Sequence, residues 1–183
     1  MQNEVINIAG LEVQIVRRKR MRSIRLRVAG DASVVVSASL REPKRNIIEF
    51  VEKHLDWIKA RKESAMHSRT YQAEHAGEEE KREWRQLVEA ATRVLLETWE
   101  PIIGVRVKKL AFRNMKSRWG SCQPATGRVC INTRLALYPP RCLEYVVVHE
   151  LVHMLEPSHN ARFHALMTKY LPDWKESRDL LKG

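Results

Sequence analysis

The sequence predicts an α+β protein: an N-terminal antiparallel β-meander plus a helix, then a core of helix, paired strands and two further helices. Three observations predict it. Residues 4–38 alternate apolar and polar side chains with a period of two. Residues 42–64 and 78–100 repeat apolar side chains at helical spacing instead. A Val/Leu-rich run then ends in His149-Glu150-Leu151-Val152-His153, whose two histidines share one face only on a helix.

At 183 residues the chain is long enough for one compact domain with a small appended module. The expected division is 1–65 for the basic meander and its helix, 66–78 for a linker, and 79–183 for a metal-binding catalytic domain. Lys and Arg outnumber Asp and Glu by 33 to 22, a net charge of +11, which favours an anionic partner. The three cysteines, Cys122, Cys130 and Cys142, form no CxxC pair and point to a reducing compartment. No basic segment followed by an apolar one opens the chain, and no run approaches membrane-spanning length. The expected location is therefore cytoplasmic, with no membrane partner; nothing in the sequence indicates an oligomeric state.

Taken in order, Val5, Ile6 and Ile8 lead to a turn at Ala9-Gly10, and Leu11, Val13 and Ile15 alternate after it. Residues 23–28 and 33–37 read as two more strands around Gly30-Asp31. Between strands lies Arg17-Arg18-Lys19-Arg20-Met21-Arg22, continued by Arg25 and Arg27. This basic run reads equally as a phosphate-contacting nucleic-acid surface or as a solvated hairpin whose charges discourage edge pairing. Pro43 suits a first helical turn. Ile47, Ile48, Val51, Leu55 and Ile58 then predict one amphipathic helix over 42–64, with Phe50 and Trp57 widening its apolar face. His54 reads as structural or exposed.

The polar stretch 65–78 breaks the pattern. Trp84, Leu87, Val88, Ala91, Leu95 and Trp99 predict a long helix closed by Pro101 and Gly104. Residues 105–112 and 128–132 alternate as strands, and Ser117-Arg118-Trp119-Gly120-Ser121-Cys122 reads as a strand-to-turn segment. Pro139-Pro140 precede the helix that carries the two histidines.

That helix carries the chemistry. Histidines four apart can converge on one metal ion, and Glu150 can reach a metal-activated water without being a ligand. Burying two histidines and a glutamate in so apolar a run is costly unless they have partners, which favours a metal site over a surface pair. Pro157 should end the helix near Glu156. Ser158-His159-Asn160 then reads as turn and cap, and residues 161–167 as a second helix. A tight turn can swing His159 back to the metal; His164 and Glu156 are its rivals. Helix, strand pair, HExxH helix, turn and helix is the minimal layout of a zincin-type metallohydrolase, in which an edge strand aligns an extended substrate.

With these residues in view, the chain resembles the YgjP-like metal-dependent hydrolases, a metallopeptidase group related to the small gluzincins. Ser117 to Cys122, the run from His149 through Phe163, and Leu171-Pro172-Asp173-Trp174 carry the resemblance. The basic N-terminal strands and the Trp57-bearing segment fit it as well. The resemblance implies that His149, His153 and His159 bind Zn2+, that Glu150 is the general base, and that residues 117–122 lie beside the cleft. Relatives often have an extra Gly-containing strand where residues 66–80 are short and polar here, often run longer beyond Trp174, and often have an aromatic or apolar residue where His164 stands.

An oxyanion forming in such a site needs a stabiliser besides the metal, and Arg118 is the candidate, with pairing to an acidic neighbour as its alternative role. Three functions follow as expectations. The first is a metallopeptidase in which Glu150-activated water attacks an amide. The second is a pyrophosphohydrolase of nucleoside triphosphates, because some YgjP-like proteins are associated with pyrophosphate release from UTP. The third is a basic nucleic-acid-binding protein with a structural zinc, against which Glu150 argues, since a purely structural zinc needs no adjacent base.

Overall fold

The computed structural model describes residues 2–182. The chain forms two compact units, Met1–Ala76 and Gly77–Gly183, each with its own apolar cluster.

The first unit is a four-stranded sheet with helices. Its strands are β1 (Gln2–Ile8), β2 (Leu11–Arg18), β3 (Arg25–Val28) and β4 (Val34–Ser39). Ala9 and Gly10, both at positive φ, turn β1 back onto β2, with Ile8 opposite Leu11. The order is β1-β2-β4-β3, so one pairing departs from the expected meander: β4 inserts beside β2 and runs parallel to it. The reason lies in the side chains. Val34, Val36 and Ala38 of β4 are fully buried, so this strand takes a central place. The strand with Arg25 and Arg27 is left at the edge, where its cations stay in water.

The single helix expected over 42–64 is two: α1 (Lys44–Lys53) and α2 (Leu55–Met66). The break is at His54, where φ is −111° and ψ is 16°. There the backbone N–H donates to Val51 O, one residue short of helical, and the ring Nδ1 lies 2.7 Å from Phe50 O. Ile47, Val51 and Ile58 are fully buried across the break, whereas Trp57, expected on the apolar face, is exposed beneath Arg61. The stretch read as a linker contains a short helix, α3 (Arg69–His75). Ser68 caps it by accepting from Tyr71 N–H and ties it to the strands by donating to Gly30 O at 2.7 Å.

The second unit opens with α4 (Glu78–Ile103), which buries Trp84, Val88 and Thr92 and ends at Gly104, φ 78°. It runs through Pro101 rather than closing there, and Leu87, expected in the core, is 60% exposed on its flank. Strands β5 (Lys109–Arg113), β6 (Gly120–Gln123) and β7 (Arg128–Asn132) form a second sheet in the order β5-β7-β6. β5 pairs parallel with β7, and β6 pairs antiparallel with it, so β6 is an edge strand. Then come α5 (Pro140–His153), α6 (Ala161–Tyr170) and α7 (Trp174–Lys182). α5 buries nine of its residues and is the centre of this core. α7 is an addition to the expected elements; it buries Trp174, Ser177 and Leu181. The three cysteines are free thiols. Among the described residues, no helix is long and apolar enough to cross a membrane.

Candidate metal centre and cleft

α5 is helical through a run of apolar residues, so packing fixes its last turns on the faces away from the cleft. His149 and His153 lie one turn apart on it. The helix ends at His153, and the chain turns through Pro157 before Asn160 caps α6 by accepting from Phe163 N–H. This turn brings His159 back over the helix end. The three Nε2 atoms stand 3.0–3.1 Å from one another. Nitrogens about 2.0–2.1 Å from a tetrahedral zinc would lie ~3.3 Å apart, so the triad has the size of a zinc site. Phe163, fully buried, lies under all three rings at 4.6–4.9 Å and fixes their planes.

The donor chemistry fits a metal. His153 Nδ1 lies 3.1 Å from Glu156 O, so this nitrogen carries the proton and Nε2 presents its lone pair to the triad. Burial, then the neighbouring imidazoles, push the His149 pKa down to about 3, and burial lowers that of His153 as well. Both rings are therefore neutral donors. His149 Nδ1 is buried with no hydrogen-bond partner among the described residues. A bond from Nε2 to a metal would offset the cost of holding that ring there.

The rivals for third ligand point elsewhere. His164 is exposed and stacks on Trp174, ring centroids 5.5 Å apart and nearly parallel. The Glu156 carboxylate accepts from Ser158 N–H and faces Arg162 at 3.8 Å.

Glu150 is 4% exposed. Burial pushes its pKa up to about 8, with the Arg118 charge opposing; a cation on the triad would oppose burial too. The carboxylate lies directly against Gly120 of β6. Beside it opens a cleft of about 450 Å³, lined on one side by residues 118–122 and on the other by Tyr145, Val146, Glu150 and the three histidines. The exposed Arg118 side chain is at its rim. Trp119 is anchored by its Nε1–H to Leu181 O at 3.1 Å and by an edge contact with Tyr138. Cys122 also lines the cleft; burial, then the nearby Glu150 charge, push its thiol up to about 11, so it is protonated.

Three contributors escaped the sequence reading. Asn132 is buried and shapes the approach to Arg118. Its amide donates to Met115 O and Arg118 O, its Oδ1 accepts from Met115 and Arg134 N–H, and its backbone N–H donates to Trp119 O. Tyr145 sits one turn before His149, edge-on to its ring. Gly120, expected beside the cleft only as part of residues 117–122, is the third, for its close approach to Glu150. Asparagine at the end of a strand was the one visible signal; Asn132 and Gly120 meet Arg118 and Glu150 from far off in sequence.

Neutral nitrogens gathered around a point, next to a buried acid and an open cleft, are the equipment of a metal-dependent hydrolase. The family comparison agrees: the model of the YgjP-like metallopeptidase domain matches residues 62–183, and the chain belongs to this family. Such a domain implies a metal ion, typically zinc. Two solved structures are similar in part. One is the metallopeptidase zymogen of Pyrococcus abyssi abylysin, 22% identical, TM-score 0.45, covering 49% of this chain and 90% of that one. The other is the metallopeptidase zymogen of Methanocaldococcus jannaschii jannalysin, 17% identical, TM-score 0.41, covering 51% and 92%. Among curated proteins, none matches the chain.

Proposed function

We propose that the protein is a zinc peptidase. His149, His153 and His159 hold the ion, and Glu150 is the general base. The observation that carries this reading is the convergence of three Nε2 atoms at 3.0–3.1 Å beside a carboxylate that is 4% exposed. Zinc held there supplies Lewis acidity, acidifying water and polarising a carbonyl. Glu150 takes the proton of the attacking water and returns it to the departing amine. Its burial excludes bulk water and raises its affinity for that proton. Arg118 offers N–H donors at the rim to the developing oxyanion. The edge strand β6 lends its free backbone groups to an extended peptide, with Gly120, Ser121 and Cys122 lining the cleft.

A nucleoside triphosphate is the weaker alternative. It carries several negative charges, and Arg118 is the single arginine or lysine lining the cleft among the described residues.

The test is peptide-library cleavage by zinc-loaded protein, with UTP hydrolysis measured alongside. We expect peptide cleavage, reduced by about 10²–10⁴ in Glu150→Gln at unchanged zinc content. Pyrophosphate release from UTP without peptide cleavage would move the substrate to nucleotides. Full activity in Glu150→Gln would remove the base.

A further inference from the structure

The first unit carries a second concave surface, unrelated in composition to the metal cleft. In β3, Arg25 and Arg27 are two residues apart and both exposed, so they project on one side of the sheet. Their partners across the strand pair are Ser37 and Val35 of β4. Those two alternate with the buried Val34, Val36 and Ala38, so the arginines stand on the face turned away from the unit's core. The end of β2 and the chain between β2 and β3 extend this face with Arg18, Lys19, Arg20 and Arg22, all exposed. Together with Met21, Leu26 and the β4 residues they enclose a groove of about 890 Å³.

Six cations line this groove and no carboxylate does. Among the described residues, none of the six has an acidic partner within ion-pair distance. Exposed cations elsewhere in the unit do: Lys44 pairs with Glu4 at 2.6 Å and Arg45 with Glu49 at 3.1 Å. Arg17, grouped with the basic run from sequence, leaves it. Its guanidinium is partly buried and donates to Ser39 O and Glu42 O, tying β2 to the turn before α1. Like charges held side by side cost stability, which a bound polyanion recovers.

We propose that this groove binds the phosphate backbone of a nucleic acid. The cations are spread along a strand and a turn rather than gathered round one buried pocket, so a single small anion would be screened by solvent. A polyanion bridges them all and gains from the release of its counterions. Five of the six are arginines, whose planar fork suits phosphate oxygens. The lining contains no aromatic ring on which bases could stack, so recognition is of the backbone and independent of sequence. A membrane surface fits less well: Val5, Leu40, Trp57 and Met66 are the exposed large apolar residues of this unit, and none lines the groove.

The test is fluorescence anisotropy of the full-length protein with labelled single-stranded DNA and RNA oligonucleotides of several sequences, across a salt series. We expect sequence-independent binding that weakens linearly in log–log form with salt. Arg25→Gln/Arg27→Gln should cost about tenfold in affinity and flatten the salt slope by about 1.4, two phosphate contacts at about 0.7 each. Arg20→Gln/Arg22→Gln, in the turn, should flatten it alike and keeps the proposal testable if the strand variant misfolds. Arg82→Gln/Arg93→Gln removes the same charge from α4, where both arginines are paired with glutamates, and should cost less than about threefold. Equal losses in the groove and control variants would reduce the attraction to net charge and overturn the site. So would absence of binding at low salt, or binding to phosphatidylserine vesicles as tight as to oligonucleotides.

Discussion

Gly120 has no room for a side chain. A Cβ built on it would meet the Glu150 carboxyl, with Cδ and Cγ at 2.9 Å. Its φ is not positive, so the demand for glycine here is steric, a close approach between strand and carboxylate, and not conformational. Gly120→Ala must therefore push Glu150 aside while leaving the histidines alone. We expect about a hundredfold loss in the rate of hydrolysis, the scale of a 1 Å misplacement of a reacting group, with zinc content unchanged by atomic absorption. An alanine variant with wild-type rate would show that Glu150 needs no such support. The residue scale is where the sequence was both clearest and most opaque. Glu150 was legible as a candidate base because it stands beside His149. Gly120 read only as part of a strand-to-turn segment beside the cleft, because the group that excludes a side chain lies thirty positions on.

At the scale of elements, local signals were readable and long-range ones were not. The histidine-bearing helix, the Asn160 cap and the helix after it follow from neighbouring residues, although α5 ends at His153, three residues before the expected Glu156. The place of β4 between β2 and β3 is set instead by competition for the centre of a sheet, which strand alternation alone does not rank. The helix α7 was missed because charged residues surround its three buried ones, leaving a thin apolar stripe. The third member of the triad belongs to this scale too, since it is the α5–α6 turn that brings His159 to His149 and His153. The carbonyl of Glu156 fixes the His153 ring while Pro157 and Ser158 carry the chain back. His159→Ala should therefore lose zinc on dialysis, by more than about tenfold in affinity, whereas His164→Ala should keep it, because His164 spends its ring on Trp174. The reverse order in metal content would move the ligand and with it the reading of the turn.

The whole molecule consists of two units with separate apolar clusters, and the three histidines of the triad all belong to the second. A ligand that binds only the folded state stabilises by its free-energy excess over the unfolded chain, about 4 kcal/mol at a thousandfold excess over the dissociation constant. That stabilisation should be confined to the unit that holds the site. Chelation followed by hydrogen exchange reads it directly. We expect protection in α5 and in the first turn of α6 to fall by up to about a thousandfold when zinc is removed, since the ion joins the end of one to the entry of the other. Protection in β1 to β4 should stay as it was, because Val13, Ile15, Val34 and Val36 are buried among residues of their own cluster. The measurement must be made on intact protein, so that each unit is the other's internal control. Equal loss in both would mean that they unfold together, and the division of the chain would then be one of contacts but not of stability. Loss in neither would mean that the three histidines hold no ion that matters to the fold, and the zinc reading would fail with it.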